Sequence, residues 1–508
     1  MGGSIGFALD GRPVEVPAGE TSLLEVLRDH LGVRSPKDGC SPQGQCGCCT
    51  VLVDGQPRVA CVTPVTRVAG RTVTTLDGLD DDVRTRWADA FAATGASQCG
   101  FCTPGIVVRL ASGVAPTRPA IDRALLAHLC RCTGWQTIRE AAALVHSGDE
   151  GPSRDLMLAA RRASIEGRTP QDVGPHVALG RGGFADDTAP PDALVAVRAA
   201  DGTWAVGETL TEARARAGKV QGRKTTVALR WPIDVPPGGW ARTLRTTWVE
   251  PAYLEPDASW CAPGGEPATP LANGGAFGGK VGSGVGAVAR RLADEHGRAV
   301  RVLLAREDVV RLGAKRPPLA AGIATDGTGR VRVARTPGIA AAIASVAPSL
   351  AVEEVDVPGP PTTAAARGAG WAEASVLRAA LEPEAPDCVR SPDGAVATSA
   401  IGTDGSVHVT VRCGAPLDEV VLRSYCIGAV HQALGWVRSE GIAVDEIGEP
   451  HDLTIRSFGI LRAADMPPVV VDVEPDDRPP VNGSDAVFAA TAAAAWRALG
   501  YPPDWPAR

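Results

Sequence analysis

A chain of 508 residues has room for two to four domains, and at 44% hydrophobic residues it can bury sizeable cores. Its formal net charge of −7 comes without any Lys/Arg-rich tract, which argues against nucleic acid as a partner. No apolar run approaches the roughly 18 residues a membrane span needs. The start, MGGSIGFALDG, lacks the basic segment, apolar stretch and twin arginine of an export signal. A cytoplasmic location with no membrane partner is expected.

Phe7 and Leu9 alternate with small residues and meet Asp10-Gly11, a two-residue hairpin signal, with Val14 and Val16 on the far side. Ser22 and Glu25 have capping-box spacing, Leu23, Leu24, Leu27 and Leu31 follow at helical steps, and Gly32 ends the run. After a cysteine-rich loop, Val51 and Val53 lead to a second turn at Asp54-Gly55, and Val59 and Val62 return. Two hairpins and one helix form the β-grasp pattern. Between residues 83 and 145 apolar residues recur at steps of three and four, and Pro104 after Thr103 marks a helix start. Four short helices are expected there. Residues 148–155 read as a linker. The rest alternates short β runs, at 300–304 and 469–473, with Ala-rich helices such as 486–498, and residues 383–396 read as a surface loop. The fold class is α+β, with domains at 1–80, 81–147, 156–382 and 397–508.

Thirteen cysteines are present, nine of them between positions 40 and 132. CxxC and CxC spacings in a long chain without an export signal suit metal binding better than disulfides. Cys40, Cys46 and Cys49 stand in one loop, and Cys61 lies twelve residues beyond Cys49. Four thiolates, three from one loop and one from the strand that follows, suit a [2Fe–2S] cluster. Gly39, Gly44 and Gly47 let such a loop close tightly and turn its N–H groups toward sulfur. Cys49 is taken as the ligand because it makes the CxxC spacing with Cys46; Cys48 is a small filler or a spare ligand. A second set comprises Cys99-Gly-Phe-Cys102 and Cys130-Arg-Cys132. Helices beginning near Pro104 and Trp135 would direct their positive ends at a reduced cluster. Zinc is chemically feasible for this set, but the CxC pair and the neighbouring cluster site favour iron. The isolated Cys261, Cys388, Cys413 and Cys426 read as small buried residues.

The runs Gln45-Cys46-Gly47-Cys48-Cys49-Thr50, Gln98-Cys99-Gly100-Phe101-Cys102-Thr103-Pro104-Gly105 and Leu129-Cys130-Arg131-Cys132-Thr133-Gly134-Trp135 resemble the iron–sulfur subunit of the molybdenum hydroxylases. These are the xanthine dehydrogenase, aldehyde oxidoreductase and carbon monoxide dehydrogenase enzymes, and the resemblance covers residues 5–147. It implies a ferredoxin-like domain and a four-helix domain with one cluster each, and it implies that Gln98 touches the pterin. One departure is visible: five residues separate Cys40 from Cys46 where four are usual. Further on, Gly274-Gly275-Ala276-Phe277-Gly278-Gly279-Lys280 resembles the cofactor loop of the molybdenum-binding subunit, which marks Gly274, Gly275, Phe277 and Gly278. Arg367-Gly368-Ala369-Gly370 and Ala464-Asp465-Met466-Pro467 follow in the family's order. This half is shortened, however, and lacks a Gly-Gln-Gly stretch. Where the family carries a glutamate base, the chain reads Asn482-Gly483-Ser484-Asp485. Asp485 and Arg367 are therefore the catalytic candidates, and Asp485 reads better as a helix N-cap.

The resemblance implies a [2Fe–2S] electron-transfer component of a molybdenum hydroxylase. Electrons would pass from a molybdenum–pterin centre through the Cys99/Cys102/Cys130/Cys132 cluster to the Cys40/Cys46/Cys49/Cys61 cluster. A flavin or another acceptor would take them. The partners implied are a molybdenum-binding large subunit and a flavin-binding subunit, with the molybdopterin shared with or held by a partner. Two alternatives stand beside this reading: a compact hydroxylase that binds the pterin itself, and a non-catalytic iron–sulfur scaffold or redox sensor.

Overall fold

The computed structural model describes residues 3–19, 21–149, 151–218, 227–271, 275–382, 387–451 and 453–507. The first sheet is built from β1 (Ser4–Leu9), β2 (Arg12–Pro17), β3 (Thr50–Val53), β4 (Gln56–Val59) and β5 (Thr72–Thr74), in the order β2-β1-β5-β3-β4. β1–β2 and β3–β4 are antiparallel hairpins, and β5 runs parallel to β1. Both hairpins turn on two successive left-handed residues, Asp10-Gly11 at φ 48° and 78° and Asp54-Gly55 at 49° and 74°. That conformation matches the strand twist, which is why Asp-Gly signals these turns. Leu23–Glu25 forms one α-turn, with the Ser22 hydroxyl accepting from the Glu25 N–H at 3.3 Å. The Glu25 carboxylate does not complete the box. It accepts from the N–H and hydroxyl of Thr211, both at 2.6 Å, a tertiary contact displacing the local one.

The helices Asp81–Thr94, Thr103–Ala111, Arg118–Ala124 and Gln136–Ser147 follow, four as expected. The linker is anchored: the Arg154 guanidinium meets the Asp418 carboxylate at 2.7 and 2.9 Å. Asp155 caps the next helix, Leu156–Gly167, by accepting from Met157 and Leu158 N–H.

Among the described residues the second half holds three more sheets, with helices packed on them. Residues 383–386 of the expected loop lie outside the described residues. Asp387–Arg390 is a strand, antiparallel to Val396–Ile401, so the connection shrinks to a turn at 391–395. Its four-residue length and polar flanks hid it. Cys388 is exposed, unlike Cys261, Cys413 and Cys426, because it lies on the outer face of this strand. The long helix Glu419–Arg438 packs on the C-terminal helix Ser484–Ala498, where alanines allow close approach. Trp436 stacks on Phe488 at 5.2 Å and meets Trp505 edge-on at 4.7 Å. One hydrophobic cluster extends from Ile5 to Trp505, so the cysteine-bearing part and the second half share a core. Among the described residues no helix is long and apolar enough to cross a membrane.

Candidate iron–sulfur centres

The structure gathers Cys40, Cys46, Cys49 and Cys61, each at most 4% exposed. The Cys40 thiol touches those of Cys46 and Cys61, and Cys61 also touches Cys49. Backbone N–H groups of Gln43 and Gln45 point at Cys40 Sγ at 3.3 and 3.4 Å, and the Cys61 N–H points at Cys49 Sγ at 3.4 Å. N–H groups so placed favour charge on sulfur. Hydrogen bonds from the Cys46 and Cys61 thiols hold Cys40 well below the ordinary thiol range. A Cβ on Gly39 would lie 3.0 Å from Cys46 Sγ and 3.1 Å from the Leu254 carbonyl, so a side chain there would crowd the closed loop.

Cys99, Cys102, Cys130 and Cys132 form the second set, here as two pairs. Cys102 meets Cys130, and Cys99 lies 3.7 Å from Cys132. The Cys102 thiol, helped by Thr133, draws Cys130 down to about 6. Cys99 is partly exposed and the other three are buried. Among the described residues no three His, Cys, Asp or Glu side chains converge as a single-ion site would require. Thiols in pairs suit two irons, each taking two ligands, and disfavour tetrahedral zinc. Both sets therefore fit a [2Fe–2S] cluster.

The two sets abut. The Leu129 N–H donates to the Cys46 carbonyl at 2.9 Å. His128 Nε2 lies 3.2 Å from the Thr50 hydroxyl, and a Cβ on Gly105 would come within 2.3 Å of the Gly47 carbonyl.

The long helix grips the second loop along one face, at steps of four residues. Gln98 Nε2 donates to the Ser424 hydroxyl at 2.9 Å and to the Cys132 carbonyl at 3.1 Å. A Cβ on Gly428 would lie 1.8 Å from that same carbonyl, and Gln432 Nε2 donates to the Arg131 carbonyl at 3.1 Å. Gln98, expected against a pterin, thus turns its amide nitrogen to partners within the chain. Sequence reasoning missed this stripe, since Ser424 and Gln432 carry no motif and only the glycine offered a signal.

Gly274 lies outside the described residues. Gly275 stands on the second set: its Cβ would be 3.1 Å from Cys99 Sγ and 3.6 Å from Cys132 Sγ. Phe277 lies under the Arg367 guanidinium at 4.5 Å, and a Cβ on Gly278 would meet the Ala365 carbonyl at 1.8 Å. Arg367 donates to Asp485 and Ser484, both at 3.0 Å, and Arg168 also pairs with Asp485. Asp485 is not the expected N-cap. It stands one residue inside the helix, which begins at Ser484. The Glu166 carboxylate instead accepts from Gly483 and Ser484 N–H at 3.0 and 2.9 Å, and it pairs with Arg162 at 2.6 Å. A negative group at a helix N-terminus is favoured wherever in the sequence it originates. The cavity beside Arg367, bordered by Phe277, Arg316 and Phe488, measures about 30 Å³. That admits a water or two, whereas cofactor-sized ligands take several hundred Å³. The described residues here do not fit a pterin.

Residues 7–66 match the family described as 2Fe-2S iron-sulfur cluster binding domain, and residues 75–143 match the [2Fe-2S] binding domain. The nicotine 6-hydroxylase small subunit of Paenarthrobacter nicotinovorans is 40% identical over 134 residues, covering 26% of this chain and 80% of that protein. The xanthine dehydrogenase iron-sulfur-binding subunit of Escherichia coli O157:H7 is 38% identical over 143 residues, 27% of this chain and 89% of that one. The chain belongs to the molybdenum hydroxylase family. It is an oxidoreductase component with two [2Fe–2S] binding domains, built for electron transfer. Over its whole length this molybdenum hydroxylase relative aligns with aldehyde oxidoreductase from Desulfovibrio gigas at a TM-score of 0.70, covering 99% of this chain and 98% of that one. At 14% identity that likeness is one of fold alone.

Proposed function

We propose that the chain carries electrons from a molybdenum–pterin centre on a partner subunit to a flavin subunit or another acceptor. Cys99, Cys102, Cys130 and Cys132 hold the entry cluster, and Cys40, Cys46, Cys49 and Cys61 hold the exit cluster. The observation that carries this reading is the pair of thiol quartets, seven of their eight cysteines buried, joined by the Leu129–Cys46 hydrogen bond. When bound, the clusters supply one-electron carriers. The protein excludes water from the ligand sulfurs, aims N–H groups at them and fixes the two loops against each other. Placing the pterin on a partner rests on Arg367 and Asp485 holding each other and on the small cavity beside them. It also rests on the relatives, which are themselves named as subunits. Cytoplasmic residence belongs to this reading, since cluster thiolates must stay reduced before loading.

Metal analysis of the chain, purified alone and with co-purifying partners, tests it. About four irons and four sulfides per chain, with molybdenum present only in the complex, is the expected result. Stoichiometric molybdenum in the isolated chain would overturn the partner arrangement. It would favour a compact hydroxylase that binds the pterin itself.

A further inference from the structure

Arg131 lies in the sequence between two cysteines of the second quartet, Cys130 and Cys132. Its guanidinium is 4% exposed and makes a two-pronged contact with Glu440, at 2.5 and 2.8 Å, while the Glu440 side chain is fully buried. The Arg131 Nε donates to the Pro251 carbonyl at 2.8 Å, and Gln432 donates to its backbone carbonyl. Glu440 is 309 residues from Arg131 and sits just past the end of the long helix. A Cβ on Gly435 would collide with its carboxylate at 2.2 Å, so the helix end is shaped around it.

A fixed positive charge next to a cluster favours the reduced state, which carries one more negative charge. A buried carboxylate against that guanidinium cancels much of the effect, and at low dielectric the cancellation acts over a short range. We propose that Glu440 is a positioning residue for electron transfer: by neutralising Arg131 it keeps the reduction potential of the second cluster low. Electrons then run downhill from the second cluster to the first. The same contact gives the second half a role that needs no pterin, because that half supplies the counter-charge and the helix face that hold the Cys130–Cys132 loop. This inference rests on the two-cluster reading above.

The test is an EPR-monitored redox titration of the cluster-loaded full-length chain. In Glu440→Gln, the uncompensated charge of Arg131 should raise the potential of the second cluster, by about 59 mV or more for a tenfold change in its reduced-to-oxidised ratio. The first cluster should move less. The double variant Arg131→Met with Glu440→Gln removes both charges and should return toward the wild-type value. A purely structural role predicts the opposite, since the double variant loses more contacts than the single one. Should Glu440→Gln fail to fold, the swap Arg131→Glu with Glu440→Arg keeps a pair and places the carboxylate on the cluster side. It should lower the potential. An unshifted second cluster in Glu440→Gln or in the swap, or a double variant displaced as far as the single one, would overturn the proposal. A wild-type chain without two [2Fe–2S] signals would instead sink the underlying reading.

Discussion

The Leu129 N–H donates to the Cys46 carbonyl at 2.9 Å, so the neighbour of one candidate ligand, Cys130, is hydrogen bonded to a candidate ligand of the other set. The seam around this bond leaves no slack. Gly47 has φ 73°, and a Cβ there would lie 2.6 Å from the His128 ring and 2.7 Å from the Ala127 carbonyl. Gly47→Ala must therefore strain the backbone and push the two loops apart. We expect a loss of about 2–5 kcal/mol, combining left-handed strain with overpacking. Denaturant unfolding measures the loss, and weaker magnetic coupling between the two reduced clusters reports the separation.

The two quartets make different demands on their cysteines. Cys102→Ala removes a thiol that meets Cys130, so one cluster should be lost and iron should fall from about four to about two atoms per chain. Cys48 touches Cys46 without reaching Cys61, whereas Cys49 does reach it. Cys48→Ala should therefore keep all its iron. Iron and sulfide determinations on both variants check this, and loss of half the iron in Cys48→Ala would transfer the ligand role from Cys49 to Cys48.

What could be read in the sequence was chemistry confined to short stretches. Asp10-Gly11 and Asp54-Gly55 announce their hairpins because a two-residue left-handed turn admits few other pairs. The eight cysteines announce themselves by spacing, and Thr103-Pro104 by the helix start it favours. Contacts across hundreds of residues stayed hidden. Glu166 looks like any polar residue on the helix Leu156–Gly167, yet it caps a helix that begins at Ser484. Gly428 looks like a small residue in a helix until the Cys132 carbonyl is found against it. Asp485 has the local pattern of a cap but lies two residues beyond the N-cap position, Gly483, and the N–H groups there are met by the distant Glu166 and by Asn482 Oδ1.

Asp485 lies between two guanidiniums, Arg367 and Arg168. Asp485→Asn leaves the buried Arg367 without its carboxylate, at a cost of about 3–5 kcal/mol. Spectra of both clusters should be unchanged in the folded fraction. Substrate-driven cluster reduction in the assembled complex, scaled to folded protein, should persist. A folded variant that has lost this reduction would make Asp485 the proton acceptor that its position in the sequence first suggested.

His431 gives the fold an acid limit. It is fully buried on the long helix, with Nε2 at 2.9 Å from the Leu461 carbonyl. Burial, reinforced by the charge of Arg131, lowers its pKa to about 4, against about 6.5 in an unfolded chain. The folded state thus needs the neutral ring, and between these values the unfolded chain binds the extra proton. The stability this confers is complete above about pH 6.5 and is lost as the pH falls to about 4. At roughly 1.4 kcal/mol per unit, the loss is about 3 kcal/mol. His431→Gln keeps a donor for Leu461 and cannot be protonated, so its urea midpoint should fall less steeply over this range. Equal slopes for the variant and the wild type would assign the acid sensitivity to other groups.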